Sequence, residues 1–388
     1  MKKISVVTGT RAEYGLLKPL IKSLNDDSDF DLQLMATAMH LSPEYGMTVN
    51  EIINDGFPVV KKIECLNDAD SAVGVSQSIA DALSSFAVAF EEIKPELILI
   101  LGDRTEMLAV AIAASIANIP IAHIHGGETT EGAYDEGIRH AITKMSYYHF
   151  TSTEDYQNRV IQLGENPSRV FNVGAIGLDS IKTLPLLSKE EFEKSINFNL
   201  GGKCALITYH PVTLEEATAA NQFKSILTSL DSIPGLRMIF THANSDRDGK
   251  VINQMIKEYV NQNNEKAVEF KSLGQLRYLS ALQYIDVVVG NSSSGVIEVP
   301  YFNIPTINIG DRQKGRVAPN SVLNCMPKEK DILNSLKKAL SSDFQESIQS
   351  QDQLYGTGNA SLKIMNVLKK DNVVNLKKSF FDINLTRR

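Results

Sequence analysis

Short apolar runs alternate with longer stretches of helical periodicity along almost the whole chain. Lys3 to Val7, Leu32 to Ala38, Leu97 to Leu101, Ile119 to Ile124 and Val170 to Val173 are brief and nearly continuous in apolar residues, the pattern of strands covered on both faces. Between them, Leu16, Leu17, Leu20, Ile21 and Leu24 recur on one helical face, and Met107 to Ala117 is an alanine-rich helical segment. Strands alternating with helices predict a parallel sheet wrapped on both faces. The rhythm restarts at Cys204 to Thr208 and continues through Leu236 to Thr241, Ala267 to Phe270, Ile285 to Val289 and Pro305 to Ile309. Two doubly wound α/β domains are therefore expected, over residues 1–177 and 178–388. Their join is expected between Gly174 and Lys203, where glycines, Pro185 and the charged run Lys189 to Lys194, read as a solvated helix face, interrupt the pattern. Asn359 to Lys369 reads as a last helix that can cross back to the first domain, followed by an interaction or crossover tail to Arg388.

Composition narrows the class. At 388 residues the chain is long for one core, which agrees with two domains, and 43% apolar with 22% charged residues describes a soluble globular protein. A net charge of -7 argues against a nucleic-acid or membrane-surface binder, since either needs a broad basic field. Any bound anion must be held by a local cluster. Cys65, Cys204 and Cys325 are odd in number, without C-x-x-C spacing, and read as reduced thiols in the cytoplasm. The apolar run after Met1 stops at Thr8, too short for a signal peptide, and no run is expected to reach membrane-span length.

Ligands of doubly wound sheets sit beyond the carboxyl ends of strands, so the loops there carry the chemistry. The richest is Gly290-Asn-Ser-Ser-Ser-Gly-Val-Ile-Glu298, followed by Ile309-Gly-Asp-Arg-Gln-Lys-Gly-Arg316. Small residues after an apolar strand allow a tight turn into a helix whose amides attract phosphate, Ser292 and Ser293 add hydroxyls, Arg312 and Arg316 add charge, and Glu298 can accept both hydroxyls of a ribose. A Ser-capped helix of no special function is the plainer alternative. After the first strand, Thr8-Gly-Thr-Arg-Ala-Glu-Tyr-Gly15 turns at a glycine and puts Arg11 at a helix mouth. Neither G-x-G-x-x-G nor a Walker lysine is present, so no nicotinamide, ATP or other cofactor is expected. Gly201-Gly202-Lys203 precedes a strand and reads as a plain turn.

Gly102-Asp-Arg-Thr-Glu106 places an acid and a base at a strand end, with Asp103 the first catalytic candidate or, alternatively, a helix cap. The next strand ends in His123-Ile-His-Gly-Gly-Glu128, where alternation sets His123 and His125 on one face. These histidines with Glu128 and Asp135 lack a recognised zinc spacing, and no metal is expected. Asp135 and Arg139 are four apart on a helix, which suits a structural ion pair as well as a site. His210 follows a strand and is kept extended by Pro211, facing an expected interdomain cleft; His242 holds the equivalent place one strand later as a lesser contact or a structural residue.

These loops, in this order, resemble the hydrolysing UDP-N-acetylglucosamine 2-epimerases of bacterial sialic and legionaminic acid pathways. The match runs through G-T-R-A-E-Y-G, L-G-D-R, H-I-H-G-G-E, D-E-x-I-R-H-A-I-T-K-M, the His-Pro after a strand, G-N-S-S-S-G-x-I-E-V-P and I-N-I-G-D-R-Q-K-G-R. It implies two Rossmann-like domains facing across a cleft, the GT-B arrangement, with sugar chemistry on the first and UDP binding mainly on the second. Asp103, Asp135 and His210 match groups implicated in catalysis, while Arg11, Ser292, Ser293, Glu298 and Arg312 match positions that hold diphosphate and ribose. His40, Arg104, Arg139 and Asn291 complete the expected substrate contacts. Some relatives carry a catalytic glutamate where this chain has His125, so His125 or Glu128 is expected to take that role. The implied reaction converts UDP-N-acetylglucosamine and water to N-acetylmannosamine and UDP. The same loops also suit UDP-N,N'-diacetylbacillosamine, a non-hydrolysing epimerase, a glycosyltransferase or a silent sensor. A cytoplasmic homodimer or homotetramer, with no nucleic-acid or membrane partner, is implied.

Overall fold

The computed structural model describes residues 1–67, 71–130, 134–211, 219–243, 249–370 and 376–383. The chain divides into two compact units, one drawn from Met1–Glu128, Ala133–Thr183 and Tyr355–Arg388, the other from Thr129–Gly132 and Leu184–Leu354.

The first unit is built on β1 (Lys2–Thr8), β2 (Phe30–Thr37), β3 (Val59–Ile63), β4 (Leu97–Leu101), β5 (Ile121–Ile124), β6 (Tyr148–Thr151) and β7 (Val170–Asn172). They pair parallel in the order 3-2-1-4-5-6-7. The second unit has β8 (Lys203–Thr208), β9 (Leu236–Thr241), β10 (Ala267–Phe270), β11 (Val287–Gly290), β12 (Thr306–Ile309) and β13 (Val322–Cys325), parallel in the order 10-9-8-11-12-13. In both sheets the order reverses beside the first strand, between β1 and β4 and between β8 and β11. Those reversals are the switch points where open α/β sheets place their ligands.

β4 shows why the sheet is wrapped on both sides. Leu97, Leu99 and Leu101 point into one core, where the helix Arg11–Asp26 brings Leu17, Leu20, Ile21 and Leu24. Ile98 and Ile100 point into the other, filled by Phe86 and Phe90 of the helix Ala72–Ile93 and by Met107 and Val110 of the helix Thr105–Ile116. Thr10 caps the helix Arg11–Asp26 by accepting the Glu13 amide, and the Glu13 carboxyl group in turn accepts the Thr10 amide.

The structure refines the expectations at three points. First, the contact boundary lies at Thr183 instead of 177, and the first unit takes up Tyr355–Arg388, including the last helix that the sequence allowed to cross back. The cause is packing and capping: the helix Ala360–Lys370 buries Ile364 and Leu368 in the first core, and the Asp179 carboxylate accepts its leading amides from Ala360 (2.9 Å) and Ser361 (2.6 Å). Beyond it, Lys378 donates to the carbonyls of Lys144 and Ser146 and to the buried Glu165 carboxylate; the tail end at 384–388 lies outside the described residues. Second, β3, β6 and β13 were not expected. β3 and β13 are sheet edges carrying Lys61, Lys62 and Asn324, while β6 carries His149, whose polarity is absorbed by a 3.0 Å bond with Glu165. Third, the helix Ala72–Ile93 has the length and mean hydropathy (1.3) to cross a membrane. Its Ala82, Phe86, Ala89 and Phe90 serve instead in the core beside β4.

Candidate functional site

In the first unit, acids and bases collect at the ends of β1, β4 and β5. Asp103 leaves β4 partly exposed and accepts from the guanidinium of Arg139, which is buried on the helix Asp135–Met145. Arg139 also donates to the Glu136 carboxylate (2.7 Å) and the Glu128 carbonyl (2.8 Å). A buried guanidinium needs such a set of acceptors to offset lost hydration. Asp135 stands one turn before Arg139. Burial and then the Asp103 charge push its carboxyl above the usual range, against the pull of Arg139 and Arg104. Two acids with unequal environments beside one cation is the arrangement acid-base chemistry requires.

The two histidines of the β5 end do not form a shared face. His123 lies inside, bonded to the Gly102 carbonyl (2.7 Å) and the Thr143 hydroxyl (3.1 Å), and burial drives its pKa down to about 3. Strand geometry stops at Ile124, and His125 adopts a left-handed φ of 65°, which ends the alternation. Its Nε2 accepts the Ile176 amide at 3.3 Å, so the proton belongs on Nδ1, 3.4 Å from Glu128 Oε1. Glu128 Oε1 also accepts from the Ser152 hydroxyl at 2.7 Å. His125 and Glu128 are thus one linked pair.

The remaining first-unit candidates are distributed differently. Arg104 donates to Glu106 Oε1 at 2.5 Å and lies close enough to Asp135 to act on its charge. His40 is buried with its ring nitrogens at the hydroxyls of Thr8 (3.1 Å) and Thr48 (2.8 Å), and burial lowers its pKa to about 4. Arg11 is exposed and pairs with Glu51 at 3.0 Å.

In the second unit, the ends of β8, β11 and β12 converge through Asn291. Its side chain accepts from the His210 amide and donates to the His210 carbonyl, both at 2.8 Å, so loop and strand end are clamped together. Its own carbonyl accepts from Arg312 and from Gln313, both at 2.9 Å. Gly290 makes this approach possible, because a Cβ there would lie 1.8 Å from the Thr208 carbonyl oxygen. His210 is buried, and burial with the Arg312 charge beside it lowers its pKa to about 4, leaving a neutral ring at pH 7. His242 pairs with Glu269 at 2.8 Å.

Ser292 and Ser293 enter a helix of one turn, Ser294–Ile297, and Glu298 then leads into a 3₁₀ turn, Val299–Phe302. The expected phosphate-attracting helix is therefore too short to sum much of a dipole, and the amides of Gly295 and Val296 are already bonded to the Ser292 and Ser293 carbonyls. The chemistry of this segment rests on side chains and on the Arg312 cation. Tyr278 adds a buried hydroxyl bonded to Ser294, in the electrostatic reach of Glu298.

A family model for UDP-N-acetylglucosamine 2-epimerase matches residues 22–369. The chain belongs to the UDP-N-acetylglucosamine 2-epimerase family. It is 42% identical, over 89% of both chains, to a Campylobacter jejuni protein named GDP/UDP-N,N'-diacetylbacillosamine 2-epimerase (hydrolyzing). An Escherichia coli protein named polysialic acid biosynthesis protein P7 is 38% identical over 95% of this chain and 94% of its own. The fold matches a Neisseria meningitidis UDP-GlcNAc 2-epimerase crystallised with UDP-GlcNAc, with a TM-score of 0.82 over 96% of this chain and 100% of that one at 20% identity.

Within this family member, sequence reasoning overlooked Glu13, Glu106, Ser152, Tyr278 and Gln313. Gln313 lies inside the G-D-R-Q motif and was within reach of the same argument as Arg312. Ser152 and Tyr278 carry no local signal, because their partners are 24 and 16 residues away.

Proposed function

We propose that the protein is a hydrolysing UDP-sugar 2-epimerase acting on a 2-acetamido sugar nucleotide. The observation that carries the reading is the first-unit acid pair, in which Asp103 is bonded to buried Arg139 while Asp135, beside it, is raised by burial and by the Asp103 charge. The C2 proton of such a sugar adjoins no carbonyl and is not acidic. Coupling its loss to departure of UDP from C1 makes the step an elimination that leaves a C1=C2 glycal. Water then adds its hydroxyl at C1 while a proton reaches C2 from the other face, giving the inverted free sugar and UDP. Asp103 and Asp135 are our candidates for the proton transfers, with neutral His210 and the His125–Glu128 pair assisting. Positioned groups of this kind each contribute roughly 10²–10⁴-fold. Arg312, Ser292, Ser293 and Glu298, with Arg11, are assigned to the diphosphate and ribose, where cationic donors stabilise the leaving group.

UDP-N-acetylglucosamine, giving N-acetylmannosamine for sialic acid synthesis, is one candidate substrate; the 42% identical relative named for diacetylbacillosamine supports UDP-N,N'-diacetylbacillosamine as the other. One experiment tests both readings. Each sugar nucleotide is incubated with the protein in heavy water and followed by NMR. Free sugar inverted and deuterated at C2, with stoichiometric UDP, is the expected result, and the faster substrate names the pathway. Recovery of an epimerised UDP-sugar would replace hydrolysis by a retaining reaction, turnover only after adding an acceptor would indicate a transferase, and binding without turnover would leave a sensor.

A further inference from the structure

Two buried carboxylates outside the assigned set lie against the turn that follows β1. Glu13 Oε2 accepts the amides of Gly9 (2.9 Å) and Thr10 (3.0 Å) and the Thr10 hydroxyl (3.4 Å). Its other oxygen, Oε1, is buried with no hydrogen-bond partner. Glu106, on the helix after β4, rests against the same turn: a Cβ at Gly9 would lie 2.3 Å from its Oε1. That oxygen accepts the Arg104 Nε at 2.5 Å, and Oε2 accepts the Thr105 hydroxyl at 3.3 Å. Both acids are nearly inaccessible, at 8% and 5% exposure.

One guanidinium cannot compensate two buried anions, and an ionised carboxylate with a dry, unpartnered oxygen is costly. A neutral carboxyl at Glu13 removes the second buried charge while keeping its Oε2 bonds. We propose that Glu13, held as a neutral acid, and Glu106, the partner of the Arg104 guanidinium, are positioning residues that lock Arg104 and the Gly9–Thr10 turn into one unit for sugar-nucleotide binding. The proposal rests on the reading of Arg104 as a substrate contact. Burial, then the Glu106 charge, pushes Glu13 up to about 8, against the opposing charge of Arg104. Among the described residues, the other titratable groups bearing on the pair include His40 and Cys65, which sense Glu106, and Asp135 and Tyr134, which sense Arg104 and Glu106. Neither acid touches substrate in this arrangement; each acts through the groups it holds.

The test has an arm independent of turnover. In the full-length protein labelled with ¹³C at glutamate carboxyls, one resonance titrates near pH 8 and is absent from Glu13→Gln. In steady-state kinetics, Glu106→Gln frees Arg104 and raises KM roughly tenfold with kcat changed far less, the signature of lost binding rather than lost chemistry. Glu13→Gln, an isostere of the neutral acid, abolishes the alkaline inflection of kcat/KM. A Glu13 carboxyl titrating near the ordinary 4.5, or a Glu106→Gln protein with wild-type KM, overturns the proposal. Should wild type turn over neither sugar nucleotide, the functional reading fails, and the carboxyl titration still decides the state of Glu13.

Discussion

The two units share a six-strand order, to which the first adds β7, and differ in what they place at the strand ends. At β4 and β5, the first unit gathers ionisable groups that hold one another: Asp103 with Arg139, Glu106 with Arg104, His125 with Glu128. At β8, β11 and β12, the second unit uses an amide clamp, a neutral histidine and the Arg312 guanidinium on a backbone carbonyl. Ion pairs in a dry setting can shift pKa values and exchange protons, whereas neutral dipoles around a cation suit holding an anion that must later leave. The fold supplies the position, and we propose that the side chains at the strand ends assign the sugar chemistry to the first unit and the nucleotide to the second.

Asp103→Asn is the strongest attempt to break this division. The amide keeps a hydrogen-bond acceptor for Arg139 but cannot exchange a proton, so turnover falls by roughly 10²–10⁴-fold. UDP affinity measured by calorimetry stays within about twofold if the nucleotide belongs to the second unit. A collapse of UDP affinity together with rate would end the separation of roles. Lys378→Met comes next. Lys378 caps the carboxyl end of the helix that carries Asp135 and Arg139, and it supplies one of the cations around Glu165. Its loss destabilises the first unit by about 1.5–3 kcal/mol, the range for bonds to charged groups, and lowers the melting temperature while UDP affinity is kept. Asn291→Ala tests the other side. It leaves the His210 amide and carbonyl without their clamp, costs about 1–2 kcal/mol, and weakens UDP roughly tenfold with the carboxyl-centred chemistry of the first unit preserved in the bound state. An Asn291→Ala protein with normal UDP affinity and lost turnover would invert the assignment.

The sequence pattern carried the fold further than the site. Continuous apolar runs such as Leu97 to Leu101 declare a strand buried on both faces, and their ends locate the loops that matter. β6 escaped because its central His149 is polar, and only the distant Glu165 makes its burial tolerable. The sequence allowed the last helix to cross back but not its anchoring, because the Asp179 cap of that helix spans more than 180 residues, beyond the reach of any local pattern. Among site residues, motif position brought together Asp103, Asp135 and Arg139, and Asn291, His210 and Arg312. It said nothing of the exposure of Arg11, the hydroxyl partners of His40 or the linkage of His125 to Glu128. Each of those depends on what a third element places opposite the residue.

The smallest effect separates the units by pH. Glu13 has its carboxyl at about 8 in the folded protein against 4.5 when unfolded. Folded chains hold this proton after unfolded ones release it, so its stabilising contribution is full below pH 4.5 and is lost as pH rises through about 8. His210 runs the other way. Its pKa of about 4, against 6.5 unfolded, gives a contribution present above 6.5 and lost as pH falls through about 4. His40 and His123 also shift downward in the first unit, so a wild-type profile mixes slopes, and only differences isolate each group. Amide exchange at β1, compared between Glu13→Gln and wild type, should diverge between pH 4.5 and 8. Exchange at β11, compared between His210→Asn and wild type, should diverge between pH 4 and 6.5. Identical pH dependence of both differences would mean that the two strand-end clusters titrate as one, and the proposed contrast between a proton-exchanging half and a nucleotide-holding half would lose its electrostatic basis.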